Sequence, residues 1–71
     1  MIDLVVVGKR CAEYRRKVLR TTQRDISRDL GYSVENISAF ERGINDNSLI
    51  FLWYLSHGLT ISQIMGDDLI E

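Results

Sequence analysis

Two short segments joined by a glycine turn, within residues 23–43, constrain the fold of this chain more than any other feature. Their apolar residues recur at helical spacing, with Ile26 and Leu30 in the first segment and Ile37 and Phe40 in the second. Gly31 lies between them, and glycine readily adopts the positive φ with which a helix commonly ends. The spacing therefore predicts two helices, at residues 23–30 and 34–42, that pack at a steep angle through their apolar faces.

Capping and turn residues predict the remaining helices. Candidate N-caps precede the apolar stretches, at Asp3, Thr22, Ser33, within the turn cluster of residues 45–48, and at Thr60. The chain contains no proline, which favours helices joined by short turns. We therefore predict an all-α fold, a compact five-helix bundle in a single domain over residues 1–71, with helices at about residues 4–19, 23–30, 34–42, 49–57 and 61–65. The acidic residues 66–71 are predicted to form a frayed tail.

The first helix is predicted from an apolar stripe at alternating steps of three and four, Leu4, Val7, Cys11, Tyr14 and Val18. Gly8 is its expected weak point, because glycine lowers the stability of a helix interior. An alternative makes residues 2–7 a short strand, since three consecutive valines favour extended backbone. Such a strand would have to pair between subunits, and we favour the helix.

Length and composition exclude several classes of protein. A chain of 71 residues has room for one core, and a single cysteine and a single histidine provide neither a disulfide nor a zinc-finger ligand set. The apolar run at residues 4–7 is too short for a signal peptide, and no segment approaches the roughly 20 apolar residues of a membrane span. No catalytic set is apparent either. We expect a cytoplasmic protein that is not an enzyme and that uses no cofactor or metal.

The charges are divided between the two parts of the chain. The net charge is only −1, but residues 9–28 hold eight basic and two acidic side chains, a balance of +6. Residues 29–71 hold one basic and seven acidic side chains, a balance of −6. The basic part is suited to a phosphate backbone, and a solvated helix face is the alternative explanation of the same pattern.

On these residues the chain resembles the phage repressor (Cro/C1, XRE) helix-turn-helix family. The resemblance rests on QRDISRDLGYS at residues 23–33 and ISAFERG at residues 37–43, continues with GLTIS at residues 58–62, and covers about residues 8–65. It implies a five-helix bundle that binds operator DNA, usually as a dimer. The chain is one residue longer between Arg15 and Gln23 than the family pattern, unless Arg16 takes the family's arginine position.

The resemblance implies which residues read bases. In this family the exposed N-terminal face of the third helix enters the major groove, and here that face carries Val34, Glu35, Asn36 and Ala39. Asn36 can bond to adenine, Val34 and Ala39 can meet a thymine methyl, and Glu35 can accept from cytosine N4. No arginine is present there to read guanine. Glu35 is also interpreted as a favourable charge at the helix N-terminus.

The resemblance also implies phosphate contacts and a subunit interface. The predicted phosphate-contacting residues are Thr22, Gln23, Arg24, Arg10, Asn45 and Asn47. Glu41 is expected to pair with a first-helix arginine, Arg15 or Arg16. The fourth helix carries more large apolar side chains than one face can bury, which suggests a dimer interface. Its predicted members are Phe51, Tyr54, Leu55, Leu69 and Ile70, with a larger core as the alternative for the aromatic residues.

Two functions remain open from the sequence. The first is a sequence-specific DNA-binding transcriptional regulator of the repressor type, acting on double-stranded DNA as a homodimer. The second is a protein-interaction module on the same fold, such as an antirepressor or a subunit that masks another regulatory protein. Glu35, Asp46 and the lack of a base-reading arginine motivate the second hypothesis.

Overall fold

The computed structural model describes residues 2–70, and these residues form five α-helices and no strand. The helices are α1 (Leu4–Tyr14), α2 (Gln23–Leu30), α3 (Val34–Glu41), α4 (Ser48–Ser56) and α5 (Ile61–Met65). A π-helical segment, Arg15–Leu19, continues α1 without a break. The predicted all-α fold with five helices is confirmed. The helix for residues 4–7 is likewise confirmed over the alternative strand.

Side-chain caps begin each of the five helices, as the sequence predicts. In each case a side-chain oxygen accepts from a backbone N–H in the first turn, at Asp3, Thr22, Ser33, Asn47 and Thr60. Thr22 and Thr60 form complete capping boxes, with Asp25 and Gln63 respectively as the returning acceptors. Four glycines with positive φ, Gly31, Gly43, Gly58 and Gly66, follow α2 to α5. Local chemistry therefore fixes where most of these helices begin and end.

The π-helical segment holds one residue more between Arg15 and Arg20 than an α-helical turn would. The Arg20 N–H donates to the Arg15 carbonyl, five residues back, whereas an α-helix would use the residue four back. One additional residue is thereby accommodated without displacing Arg15 from its buried position. Arg20 then takes a left-handed conformation, with φ 53°, and turns the chain into α2.

The first helix is buried along only part of the predicted stripe. Val7, Cys11 and Tyr14 are buried, but Leu4 is 43% exposed and Val18 39% exposed. The prediction of burial was wrong for these two residues for different reasons. Val18 lies in the π-helical segment, where the rotation per residue differs from that of an α-helix. Leu4 lies in the first turn, at the edge of an open apolar groove.

The crossing of α1 and α3 depends on Gly8. A Cβ atom at Gly8 would lie 2.6 Å from the Glu41 carbonyl oxygen and too close to the Phe40 carbonyl oxygen as well. Because both neighbours are backbone atoms, any larger residue would push the two helices apart. Gly8 is therefore the residue that permits close helix packing, and not merely the weak point that the sequence suggested.

A glycine turn joins α2 to α3. Gly31 adopts φ 76° with open space around it, so only its backbone conformation requires glycine. Ile26 of α2 and Ile37 of α3 are fully buried in the same core. The Ser27 hydroxyl donates to the Tyr32 carbonyl and connects α2 to the end of the turn. These contacts hold the two helices as one unit.

The predicted frayed tail is ordered against the core as far as Ile70. Ile70 is only 7% exposed and packs with the other buried residues. The Gln63 side-chain amide donates to the Leu69 carbonyl at 3.2 Å. The prediction was wrong because an acidic composition conceals one apolar side chain that finds a place in the core. Glu71 lies outside the described residues.

Across residues 2–70, none of the helices has the length and apolar character needed to cross a membrane.

Candidate nucleic-acid interface

The predicted base-reading residues lie together at the N-terminal part of α3. Glu35 and Asn36 are exposed, and Val34 and Ala39 are half-buried. On the other side of α3, Ile37 and Phe40 are buried and hold the helix against the core. Ser33 accepts from the Asn36 N–H at 3.2 Å and caps the helix. The structure thus presents a short, rigid helix face with polar and small apolar side chains.

The start of α2 provides a second exposed surface. Thr22 and Arg24 are exposed, and Arg20 is exposed immediately before them. The Thr22 N–H donates to Asp25 Oδ2 at 2.9 Å, and this bond lowers the pKa of the Asp25 carboxyl below its ordinary value. Arg28 pairs with the same carboxylate at 2.8 Å. Asp25 is therefore engaged within α2, which leaves Arg20 and Arg24 as the outward charges at this end.

Gln23 does not point outward as predicted. Its Nε2 donates to Glu41 Oε1 at 2.9 Å, and the contact is partly buried. The prediction that its side chain contacts phosphate is therefore corrected: that side chain holds α2 against α3. Phosphate could still be met at this position by the first backbone N–H groups of α2, which have no partner within an α-helix.

Glu41 is the centre of a buried polar network. Arg15 donates to both carboxylate oxygens, from Nε at 2.9 Å and from Nη2 at 3.1 Å, so the predicted ion pair is confirmed with Arg15 as the partner. The Tyr54 hydroxyl also donates to Glu41 Oε2. Arg15 Nη1 donates to the Thr21 carbonyl at 3.0 Å. One carboxylate thus connects the end of α1, α2 and α4 to α3.

Burial and charge in this network shift the pKa values of its members. Burial lowers the pKa of Arg15, but the hydrogen bonds and charge of Glu41 outweigh it, and the pKa is raised overall. Burial and the Glu41 charge raise the pKa of Tyr54 far above its usual range. The same two causes raise the pKa of Cys11 to about 12. Arg15 is thus charged, and Tyr54 and Cys11 are neutral, throughout the physiological range.

Arg10 is separated from the α2–α3 surface. Arg10 comes two residues after Gly8, and residues two apart in an α-helix differ by about 200° around its axis. Arg10 therefore points away from the face of α1 on which Gly8 meets α3. Its guanidinium lies beside Gly66 at the end of α5, 3.1 Å from where a Cβ of that residue would be. The prediction that Arg10 contacts phosphate together with Thr22 and Arg24 is corrected for this reason.

The predicted loop contacts, Asn45 and Asn47, serve the turn before α4. Asn45 Oδ1 accepts from the Asn47 N–H at 3.3 Å. Asn47 Oδ1 accepts from the Leu49 N–H at 3.0 Å and the Ile50 N–H at 3.4 Å. Their oxygens are therefore occupied, and only their amide NH₂ groups could serve as donors to phosphate.

The predicted dimer residues do not form one surface. Tyr54 is fully buried in the Glu41 network and Ile70 is buried in the core, so neither side chain can face a partner. Phe51 and Leu55 are half-buried and pack against the core, and Leu69 is 78% exposed. The alternative of a larger core is correct for Tyr54 and also for Trp53, which is 7% exposed. Sequence reasoning failed because α4 is apolar all round and its periodicity does not mark the buried side.

Two contacts of Trp53 were not predicted from the sequence. Its indole Nε1 donates to Asp29 Oδ2 at 3.0 Å and connects α4 to α2. Its ring stacks on His57 with centroids 3.8 Å apart. His57 Nδ1 donates to the Trp53 carbonyl at 2.7 Å, so this histidine caps the end of α4. Asp29 is 24 positions away in the chain, and nothing local predicts that contact.

Within residues 2–70, no three histidine, cysteine, aspartate or glutamate side chains are grouped as a metal ion would require. Comparison with known proteins found no matching family model, no matching curated protein and no matching solved structure.

Proposed function

We propose that this protein is a sequence-specific DNA-binding transcriptional regulator of the repressor type, with a helix-turn-helix fold like that of the phage repressors. The observation that carries the proposal is the exposed N-terminal face of α3, where Asn36 stands between the Ser33 cap and the buried Ile37. A helix held in this way can enter the major groove, which is about 12 Å wide. The protein would act in the cytoplasm as a homodimer.

Base reading would come from the four side chains of α3. Asn36 would donate to and accept from the edge of adenine, the commonest role of an exposed asparagine in the major groove. Val34 and Ala39 would contact a thymine methyl group. Glu35 would accept from cytosine N4, the donor with which a carboxylate commonly pairs in the major groove. The protein would thus contact adenine, thymine and cytosine in each half-site, and no arginine would pair with guanine.

Phosphate contacts would come from the start of α2. Arg20 and Arg24 are exposed on either side of Thr22, and the Gln23 and Arg24 N–H groups in the first turn of α2 would supply further donors. Arginine at such a position fixes the orientation of the protein on the duplex without selecting a sequence. Arg20 and Arg24 would thus turn part of the positive charge of residues 9–28 to the DNA.

Selection from a pool of random duplexes, across a series of salt concentrations, tests this proposal. We expect an enriched site, and a loss of selectivity at one adenine in Asn36→Ala that costs about 1–3 kcal/mol. Arg24→Ala should weaken binding to all sequences and reduce the salt slope by about one. Ser62→Ala, an exposed change on α5, is the matched control and should bind as the parent does. Weak, unselective binding by the parent would refute the proposal.

A protein-interaction module is the second candidate function. The exposed Glu35 in the first turn of α3 favours it, because a carboxylate near phosphates is repelled. Glu35→Gln distinguishes the two functions. If α3 binds DNA, this substitution should strengthen binding at low salt and relax selectivity at one cytosine. If α3 binds a basic partner protein, no duplex is enriched and the substitution leaves DNA binding weak and unselective.

A further inference from the structure

An apolar strip crosses the molecule on the side formed by the start of α1, the start of α4, and α5. Five large side chains in it are between 43% and 62% exposed: Ile2, Leu4, Val6, Ile61 and Met65. Four of them, all except Val6, line a groove of about 260 Å³ that is also lined by Val7, Phe40 and Phe51. A second depression of about 210 Å³ continues the groove toward Val6. A monomer of this size seldom exposes so continuous an apolar surface without a partner.

Opposite charges lie at the two ends of this strip. Asp46 lines the groove at the end nearest α4. Lys9 and Arg10 line a depression that adjoins Val6 at the other end, together with Glu13, whose carboxylate is paired with Lys17 at 3.1 Å. The strip thus has an acidic end, an apolar centre with both a concave groove and protruding side chains, and a basic end.

We propose that the apolar strip is the dimer interface and that a second copy of this chain covers it in antiparallel orientation. A two-fold interface must be complementary to itself, and this strip combines a groove with the protruding Ile61 and Met65. Antiparallel pairing sets Asp46 of one protomer opposite Lys9 and Arg10 of its partner, so that unlike charges meet at both ends. A different protein would need both a complementary apolar surface and matching charges at its two ends to cover the strip equally well.

The position of the strip is compatible with the proposed DNA surface. Phe40, at the C-terminal end of α3, belongs to the groove, whereas Glu35 and Asn36 lie at the N-terminal end of the same helix. Covering the strip therefore leaves Glu35 and Asn36 of each protomer open. This arrangement replaces the interface predicted from the sequence, two of whose residues are buried in the core.

Sedimentation equilibrium of the full chain over a range of concentrations, without DNA, tests the interface. We expect the parent to dimerise, and Leu4→Lys and Ile61→Lys to raise the dimer Kd about tenfold or more. Val18→Lys is the matched control, because Val18 is exposed to nearly the same extent as Leu4 but lies at the other end of the first helix. A parent that stays monomeric at all concentrations overturns the proposal. So does a control that dissociates the dimer as strongly as Leu4→Lys.

Charge exchange tests the antiparallel orientation. Asp46→Lys and Lys9→Asp should each weaken the dimer about fivefold, and the double variant should recover most of the parent affinity. Additive losses in the double variant would overturn this arrangement. Circular dichroism of each variant checks that the fold is retained, as expected because all five substituted side chains are exposed.

These measurements contain no DNA, so they test the homodimer of the proposed function separately from its DNA binding. A protein that dimerises through the strip but selects no duplex would sustain this inference and refute DNA binding. A protein that stays monomeric but selects a single half-site would overturn this inference and support DNA binding.

Discussion

Glu41 shows how much a single buried carboxylate can determine in a domain of this size. Its two oxygens accept from Arg15, Gln23 and Tyr54, which belong to three different parts of the chain. Burying a charge is costly unless it is paired and fully hydrogen-bonded, and here each oxygen has two donors. The network therefore specifies one relative placement of the helices, in addition to the packing of the apolar core.

Glu41→Gln should destabilise the protein by about 3–5 kcal/mol, because it leaves the Arg15 guanidinium buried without its counter-charge. That loss is a large fraction of the stability expected for a small domain. Urea unfolding followed by circular dichroism measures it. Glu35→Gln makes the same chemical change at an exposed position of the same helix and should stay within about 0.5 kcal/mol of the parent. Equal losses in the two variants would contradict this account of the network.

Cys11 should be almost unreactive in the folded protein. Burial, with the nearby Glu41 charge, raises its pKa to about 12, while an unfolded cysteine titrates near 8.5. At pH 8 the thiolate fraction is therefore on the order of a thousandfold lower in the folded state. Reaction with a thiol-specific disulfide reagent, with and without urea, measures the difference. Comparable rates in the two conditions would show that the thiol is accessible.

The same shift predicts how stability depends on alkaline pH. The unfolded thiol releases its proton above about pH 8.5, whereas the folded thiol retains it until about pH 12. The contribution of Cys11 is therefore fully present below pH 8.5 and is lost as the pH rises from there toward 12. Cys11→Ala should unfold with a weaker pH dependence across this interval. An unchanged slope would assign the alkaline loss to other groups.

At the scale of elements, the π-helical segment is the least regular part of the backbone. Deletion of Val18 would convert the Arg20–Arg15 bond from a five-residue to a four-residue span, which is that of an α-helix. We expect this deletion to keep the fold within about 1 kcal/mol of the parent stability. Urea unfolding and circular dichroism measure the result.

Deletion of Glu13 is the matched control for the π-helical segment. Glu13 lies within α1, so its removal rotates everything on one side of the deletion by about 100°. Cys11 and Arg15 could then no longer both face the core, and we expect loss of the folded state. If the two deletions were equally harmful, the segment would not be a site that absorbs an extra residue.

At the scale of the whole molecule, the proposed dimer should make thermal stability depend on concentration. A partner that binds only the folded state raises its stability by mass action. For a dimer of domains this size, a tenfold increase in concentration should raise the Tm by about 3–6 °C. Leu4→Lys should need about a tenfold higher concentration or more to reach the Tm of the parent, and Val18→Lys should behave as the parent does. Scanning calorimetry at several concentrations decides between these outcomes.

The features that the sequence predicted correctly are local ones. Each cap acts within three residues of itself, and a glycine such as Gly31 acts on its own φ, so both can be recognised from short stretches. The pairing of Glu41 with Arg15 or Arg16 could be predicted because the resemblance to the phage repressors suggested it. Contacts such as Gln23 with Glu41, or Trp53 with Asp29, join residues 18 and 24 positions apart. Their partners are set by tertiary packing, which no short pattern encodes.

The sequence predicted the exposed face of α3 better than it predicted the dimer interface. The exposed positions of α3 follow from the burial of Ile37 and Phe40, because a helix that buries one side must expose the other. The predicted interface on α4 failed because that helix is apolar on every side, which left Tyr54 indistinguishable from its neighbours. The strip on α1 and α5 combines residues from both ends of the chain, and only the fold brings them together.

The π-helical segment also affects how this chain should be aligned with other sequences. A domain whose first helix is α-helical throughout reaches the equivalent of Gln23 one residue sooner. An alignment without a gap would then set Arg16, which is exposed, where Arg15 belongs. It would also shift the positions of Gly8 and Cys11 by one. A single gap placed within Arg15–Leu19 restores the correspondence on both sides, and sequence searches that penalise gaps inside helices will undervalue such relatives.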